Sequence, residues 1–242
     1  MSAGDTPLRD AFAPSGTLRV SINFGNPVLA ARGDNGEPQG ISVDIATELA
    51  RQLGLPLQLV TYDAAGKAVA GVAAGEADVG FFAIDPVRGK DIAFTEPYLL
   101  IEGSYLVRAE STIQTHADVD KSGIRVAVGT GSAYDLFLTR ELKSADIVRI
   151  STSPEVVNTF LRDRLDVAAG EKQQLEADAR RLGDLRLLDG NFMVIRQAMG
   201  IAKSRGALPA AWLTTFITEL IQNGFVSAAV KRHNIDGVSV PE

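Results

Sequence analysis

Short β-prone runs alternate with helical repeats of apolar residues along this chain. Residues 18–22 form the first β-prone run, and residues 44–53 then place Ile45, Leu49 and Leu53 on one helical face. A further apolar run at residues 79–84 predicts a buried strand. Strands that alternate with amphipathic helices through short links are typical of parallel sheets covered by helices. The pattern therefore predicts an α/β fold.

The same order of elements occurs twice. Residues 124–128 repeat the strand and glycine-containing loop that begin at residue 18. In both halves a helical stretch ends at an Asp-Val pair that begins a buried strand, at Asp78 and at Asp166. A length of 242 residues suits two lobes of about 100 residues each better than one compact domain. The repeat therefore predicts two similar lobes, each with a mostly parallel sheet.

Composition narrows the class of protein. The net charge of −6 argues against a nucleic-acid partner, which would favour a basic face. No run approaches the ~20 apolar residues that a membrane-spanning helix needs. Cysteine is absent and only two histidines occur, which argues against disulfides, thiol catalysis and most transition-metal sites. We therefore expect neither a metal nor a cofactor.

Arg88 is the first candidate for ligand contact. Asp85 and Pro86 suit the start of a helix, because Asp caps helices well and Pro fits the first helical position. They predict a short exposed helix that holds the Arg88 guanidinium just past a buried strand, where ligands bind in open α/β sheets. A planar cation with five donors suits a carboxylate or a phosphate. The alternative is a surface arginine paired with Asp85 or Asp91.

A second candidate is the loop Gly129-Thr130-Gly131-Ser132, which follows a predicted strand and opens a helix. Free N–H groups and the helix dipole at such a place form an anion site. The loop lacks the spacing and the lysine of a nucleotide-binding P-loop. It is equally well explained as a plain strand–helix turn with Ser132 as the N-cap.

Residues 75–98, GEADVGFFAIDPVRGKDIAFTEPY, resemble the bacterial extracellular solute-binding proteins of the polar amino acid type, solute-binding family 3. The pattern of that family is roughly G-x-x-D, an apolar strand, T-x-E-R, a helix and F-S/T-x-P-Y. Gly36, Gly40 and Asp44 also match its G-x-x-x-G-x-x-x-D helix start, where we expect turn and capping roles. The resemblance extends over residues 17–237.

The resemblance implies the periplasmic-binding-protein fold of type II, with two similar lobes joined by two crossover strands that act as a hinge. Lobe 1 is expected to hold residues 1–104 and 199–242, and lobe 2 residues 105–198. The hinge is expected near residues 101–108 and 195–203. Helices from Pro209 onward would pack on lobe 1 through the apolar face Leu213, Phe216, Leu220 and Ile221, with Trp212 in a packing role. The polar tail, residues 231–242, is expected on the surface.

The resemblance also implies roles for single residues. Arg88 falls on the arginine that holds the ligand carboxylate. The loop Thr130-Gly131-Ser132 would give backbone donors and a hydroxyl to the same carboxylate, so that the ligand is clamped across the cleft between the lobes. Glu171 stands where an aspartate usually pairs with the ligand ammonium. The alternative for Glu171 is a solvated charge at a helix start.

Two departures from the family pattern concern the ligand. Phe81 and Ala83 stand where amino-acid-binding relatives commonly have Ser or Thr, whose hydroxyl and carbonyl help to hold the ammonium. Because an unpaired buried ammonium is costly, the ligand either lacks an α-amino group or pairs it with Glu171 alone. The remaining candidates are a wall residue among Phe24, Phe81 and Phe82, which are otherwise core residues, and polar contacts from Asn23 and Asn26.

The implied function is that of a non-catalytic periplasmic receptor. It would bind a small carboxylate, foremost an amino acid or a close relative, and deliver it as a monomer to the membrane permease of an ABC transporter. The N-terminal sequence MSAGDTPLRDAF has no features of a signal peptide, so we expect a mature secreted form with an added Met. Two alternatives on the same fold are a cyclohexadienyl or arogenate dehydratase, with Glu171 as the acid, and a ligand-sensing domain of a signalling receptor.

Overall fold

A computed structural model describes residues 6–241 of the chain. Residues 1–5, where the added Met was expected, and Glu242, the end of the polar tail, lie outside the described residues. The elements follow in chain order as α1 (Thr6–Phe12), β1 (Leu18–Asn23), β2 (Ala31–Arg32), β3 (Pro38–Gln39), α2 (Ile41–Leu53), β4 (Leu57–Tyr62), α3 (Ala65–Ala73), β5 (Val79–Ala83), β6 (Ile92–Arg108), α4 (His116–Val119), β7 (Arg125–Gly129), α5 (Ala133–Glu141), β8 (Asp146–Ile150), α6 (Val156–Arg162), β9 (Val167–Glu171), α7 (Lys172–Leu182), β10 (Leu185–Leu187), β11 (Met193–Ala202), α8 (Ala207–Gln222), α9 (Phe225–Arg232) and β12 (Val238–Ser239).

The described residues divide into two compact units. Unit 1 holds the residues up to Leu100, Arg196–Ile235 and the residues from Ser239 onward. Unit 2 holds Ile101–Ile195 and Asp236–Val238. The chain passes from unit 1 to unit 2 within β6 and returns at β11.

The sheets of the two units have the same strand order and the same strand directions. In unit 1 the strand order is β4-β1-β5-β11, with β1 parallel to β4 and β5, and with β11 antiparallel to β5. In unit 2 the order is β8-β7-β9-β6, with β7 parallel to β8 and β9, and with β6 antiparallel to β9. The predicted repeat of mostly parallel sheets is therefore confirmed.

A repeated ion pair marks the start of the third strand of each unit. In unit 1, Asp78 accepts the backbone N–H of Arg19 at 2.9 Å and pairs with its guanidinium at 2.7 Å. In unit 2, Asp166 accepts the backbone N–H of Arg125 at 2.9 Å and pairs with its Nε at 3.0 Å. The Asp-Val pairs noted in the sequence therefore fasten the first strand of each unit to its neighbour.

Each unit has its own apolar core. Phe82 on β5 lies in a buried cluster of unit 1 with Ala68 and Val72 of α3, which identifies it as a core residue. Phe160 of α6 is the largest member of the corresponding cluster of unit 2. Phe82 lies on β5, and Phe160 lies on α6, the helix that precedes β9. Strands β5 and β9 hold corresponding places in the two units. The two cores therefore follow the repeat in the sequence.

Two helices differ from the predictions, α2 in where it begins and α8 in which side chain it buries. Helix α2 begins at Ile41, three residues before the predicted start, because Gly40 takes the N-cap position at φ 128° and Ser42 donates its N–H to the Leu29 carbonyl. Asp44 therefore lies within the first turn, where its carboxylate contacts Arg232 at 2.6 Å and His233 at 2.9 Å. In α8, Ile217 is fully buried where Ile221 was expected, and Ile221 is half-buried.

Candidate functional site

The turn after β5 places Arg88 in unit 1. Asp85 accepts the N–H of Val87 through its side chain at 2.8 Å and the N–H of Gly89 through its carbonyl at 2.8 Å. These two hydrogen bonds hold the turn between β5 and a short 3₁₀ helix, which spans Arg88–Lys90. The N-cap of this helix is Val87, so the prediction that Asp85 caps the helix and Pro86 opens it is wrong. Asp85 instead stabilises the turn that precedes the helix.

Arg88 itself is buried. Its residue is 6 % exposed, so the prediction of an exposed helix position, and with it the surface-arginine alternative, is wrong. The Arg88 Nη1 donates to the carbonyl of Ala83 at 3.1 Å, which pulls the guanidinium back against the end of β5. Burial lowers the pKa of Arg88 to about 10, with the charge of Asp85 acting in the opposite direction. The side chain therefore remains a cation at neutral pH.

The wall beside Arg88 is formed by β5 and β11. Phe81 is buried and meets the edge of Tyr98 with ring centroids 6.0 Å apart. Ala83 lies opposite Gln197 in the antiparallel pair of these strands. The sequence interpretation did not include Gln197 among the candidates. Its polar side chain at the start of the β-prone segment QAMGIAK was the signal that could have indicated it.

The loop after β1 holds the other candidates of unit 1. Asn23 accepts the N–H of Gly25 at 2.8 Å, and the buried Asn26 accepts the N–H of Val28 at 3.1 Å. Both side chains therefore shape the loop. Phe24 is half-buried, and the Arg32 guanidinium carbon lies 4.5 Å from its ring centroid. Ligand contact by these residues stays a prediction.

The glycine loop of unit 2 makes internal hydrogen bonds. The N–H of Thr130 donates to the Ile150 carbonyl at 2.8 Å, and that of Ser132 to the Gly129 carbonyl at 3.0 Å. The N–H of Gly131 donates to the Asp135 carboxylate at 2.8 Å. The expectation that these three N–H groups are free is therefore wrong. Their contact with a ligand stays a prediction.

Asp135 is the unit 2 residue that the sequence interpretation missed. It is buried, donates its N–H to Ser132 Oγ at 3.0 Å, and pairs with Arg149 at 3.0 Å. Ser132 is thus the N-cap of α5, as the alternative interpretation of the loop required. The carboxylate of Asp135 places a protein anion at the loop where a ligand anion was expected.

Glu171 ends β9 and precedes α7. The residue is 6 % exposed, so the interpretation as a solvated charge is wrong. Burial raises the pKa of Glu171 to about 8. The pKa of the buried Tyr134 is raised, first by burial and then by the nearby charge of Glu171, which places these two side chains in one region of unit 2. The candidates therefore form two sets: Arg88, Phe81, Ala83 and Gln197 in unit 1, and the loop, Tyr134 and Glu171 in unit 2.

The comparison with known families decides the family. Residues 18–234 match the model of the bacterial extracellular solute-binding proteins, family 3. The chain belongs to this family. The predicted resemblance is therefore confirmed.

Named relatives of this family 3 protein bind amino acids. It is 26 % identical over 209 residues to the L-cystine-binding protein TcyJ of Escherichia coli, covering 85 % of this chain and 77 % of TcyJ. It is 23 % identical over 207 residues to a glutamine-binding protein of Geobacillus stearothermophilus, covering 84 % and 78 %. The crystal structure of a solute receptor for L-cysteine of Neisseria gonorrhoeae superposes with a TM-score of 0.81 at 22 % identity, covering 93 % of this chain and 92 % of the receptor.

These findings support a solute-binding protein and not an enzyme as the class of this family 3 chain. The similarity to the solved structure supports the predicted type II fold. Within residues 6–241, no helix combines the length and the apolar character that crossing a membrane requires. The same residues contain no cluster of three side chains suited to hold a metal ion.

Proposed function

We propose that this chain is a periplasmic receptor that binds an amino acid, or a closely related small carboxylate, for uptake by an ABC transporter. The observation that carries the proposal is the buried Arg88 guanidinium held at the end of β5. The named relatives that bind cystine and glutamine point to the same ligand class.

Arg88 is assigned to the ligand carboxylate. Burial disfavours the charged form of Arg88, as the lowered pKa shows, and an anionic ligand group would offset that cost. Because Nη1 is fixed on the Ala83 carbonyl, the orientation of the planar donor group is set before a ligand arrives. A carboxylate matches that fork with two parallel hydrogen bonds.

Glu171 is assigned to a cationic group of the ligand. It is buried, and burial raises its pKa, so ionisation of Glu171 costs free energy. A ligand ammonium would favour the ionised carboxylate. The loop Thr130-Gly131-Ser132 is retained as a contact through the hydroxyl of Ser132. Its three N–H groups and the Thr130 hydroxyl already donate within unit 2.

The remaining parts of the proposal concern the whole protein. We expect a monomer, with the membrane permease of the transporter as its macromolecular partner. Residues 101–108 and 195–203 are proposed as the hinge, because β6 and β11 carry the chain between the units there. Light scattering of the purified protein checks the monomeric state.

The first test is the substitution Arg88→Ala, with Arg51→Ala as the matched control because Arg51 is a solvent-exposed arginine of unit 1. A hydrogen bond to a charged group contributes about 1.5–3 kcal/mol, so affinity should fall at least about tenfold in Arg88→Ala and stay unchanged in Arg51→Ala. Affinity is measured by calorimetric titration with an amino acid that the wild type binds. Affinity of Arg88→Ala within threefold of the wild type would contradict the proposal, provided circular dichroism shows a folded protein.

Arg88→Lys is the second variant of this test. It keeps the positive charge but loses the planar fork, so its affinity should lie between those of the wild type and Arg88→Ala. A result equal to the wild type would show that only the charge matters. That outcome would reject the bidentate contact.

A further inference from the structure

Gln197 lies beside the candidate carboxylate-binding group of unit 1. Strands β5 and β11 pair antiparallel, and Gln197 is the direct partner of Ala83. Directly opposed residues project their side chains to the same face of a sheet. The Gln197 amide therefore extends from the face that also bears the Ala83 methyl group.

The Gln197 side chain is buried without full hydrogen bonding. The residue is 4 % exposed, and its Oε1 has no hydrogen-bond partner among residues 6–241. An unsatisfied buried acceptor destabilises the folded state, and such groups in native proteins call for an explanation. Its neighbours Ala198, Met199 and Ile201 on β11 are buried apolar residues, so an apolar side chain would suit this strand.

Ala83 connects Gln197 to Arg88. The carbonyl of Ala83 accepts from Arg88 Nη1 at 3.1 Å, while the side chain of Ala83 is paired across the strands with Gln197. Unit 1 thus places a cation and a neutral amide on either side of one residue. Ala83 itself offers no hydroxyl. A ligand carboxylate at Arg88 would therefore lie next to Ala83, the residue that also adjoins Gln197.

We propose that Gln197 is a specificity residue, whose side-chain carbonyl accepts a hydrogen bond from the α-ammonium of an amino acid bound at Arg88. This inference rests on the proposed function and adds to it the selection of α-amino acids over carboxylates that lack the amino group. The role is distinct from that of Glu171, because an uncharged acceptor discriminates by hydrogen bonding alone.

The test uses Gln197→Met, with Gln58→Met as the matched control, since Gln58 is an exposed glutamine on β4 of the same unit. The panel of the common L-amino acids with L-cystine is screened by thermal shift, and each amino acid that binds is paired with its deaminated analogue. Gln197→Met should weaken the amino acid about tenfold or more and leave the analogue within threefold. Gln58→Met should change neither.

Stability of the ligand-free protein is the second measurement. If Gln197 serves the ligand, replacing its unsatisfied carbonyl with an apolar group of similar size should leave the unfolding midpoint unchanged or raise it. A lower midpoint would mean that Gln197 is a structural residue, and the inference would fall. Gln197→Leu repeats both measurements if the Met variant does not fold.

The outcomes separate this inference from the proposed function. If the wild type binds amino acids and Gln197→Met binds them equally well, or loses the same factor for both members of a pair, Gln197 selects no ammonium and only this inference fails. If the wild type binds no amino acid of the panel, the proposed function fails and the inference falls with it.

Discussion

Desolvation acts in opposite directions on the pKa values of two buried ionisable side chains, Arg88 of unit 1 and Glu171 of unit 2. It lowers the pKa of the Arg88 cation and raises the pKa of the Glu171 acid, so both groups are pushed towards their neutral forms. Ligand groups of opposite charge reverse each shift. An amino acid carries both such groups, whereas a simple carboxylate offers only the partner of Arg88. Under the proposed function, these two residues therefore favour a zwitterionic ligand.

The raised pKa of Glu171 gives a prediction for stability against pH. Between pH 4.5 and 8 the folded protein keeps the Glu171 proton while the unfolded chain has lost it. The free energy of unfolding therefore falls as pH rises through this window. The contribution of Glu171 to this fall is about 1.4 kcal/mol for each pH unit. Glu171→Gln removes this contribution, so its stability relative to the wild type should increase with pH. Urea unfolding at pH 5, 6, 7 and 8 measures the difference.

A bound amino acid serves as the internal control of that experiment. Its ammonium should favour ionised Glu171 and reduce the advantage of Glu171→Gln at pH 8. A difference between the two proteins that stays constant from pH 5 to pH 8 would mean that the folded and unfolded forms of Glu171 titrate alike, and the burial argument would then be rejected.

The elements show how far sequence patterns alone extend. The Asp-Val repeat predicted the matching strands of the two units, because the aspartate meets the start of the first strand in both. The loop after β7 was placed correctly but its hydrogen bonding was not. The Gly131 N–H donates to the side chain of Asp135, four residues further along the chain. Which side chain accepts from an N–H group at a helix start depends on side-chain orientation, which the sequence pattern does not give. The position of Gln197 opposite Ala83 was not predicted for a similar reason, because it depends on the register between β5 and β11.

The repeated ion pair offers a comparison between the elements of the two units. Asp78 has no exposed side-chain surface and pairs with both Arg19 and Arg205, whereas the Asp166 side chain is 32 % exposed. Breaking a buried pair costs about 3–5 kcal/mol, while an exposed pair contributes about 0–1 kcal/mol. Asp78→Asn should therefore destabilise unit 1 more than Asp166→Asn destabilises unit 2.

Trp212, the single tryptophan of the chain, lies in unit 1 and reports its unfolding by fluorescence, while circular dichroism reports both units. The double variant Asp78→Asn/Asp166→Asn tests whether the stability losses of the two single variants add. Equal losses in the two single variants would show that burial does not decide the strength of this pair.

At the scale of the whole molecule, one family match covers both units, and each unit carries one set of candidate residues. The proposed function therefore draws on one buried ionisable residue of each unit, the Arg88 cation of unit 1 and the Glu171 acid of unit 2. A receptor built in this way gains stability from its ligand by mass action, without any chemical step. An enzyme on the same fold would consume the ligand.

The last prediction separates these two cases. A ligand at 100 times its Kd adds about 2.7 kcal/mol to the free energy of unfolding. For a chain of this size that corresponds to a rise of about 5–10 °C in Tm. We expect a shift of this size with an amino acid of the panel, a much smaller shift in Arg88→Ala, and full recovery of the ligand by chromatography after prolonged incubation. Prephenate and arogenate should likewise be recovered unchanged. Formation of a product from either compound would show that the protein is an enzyme, because a binding protein leaves its ligand intact. Loss of that product in Glu171→Gln would assign the catalytic acid to Glu171.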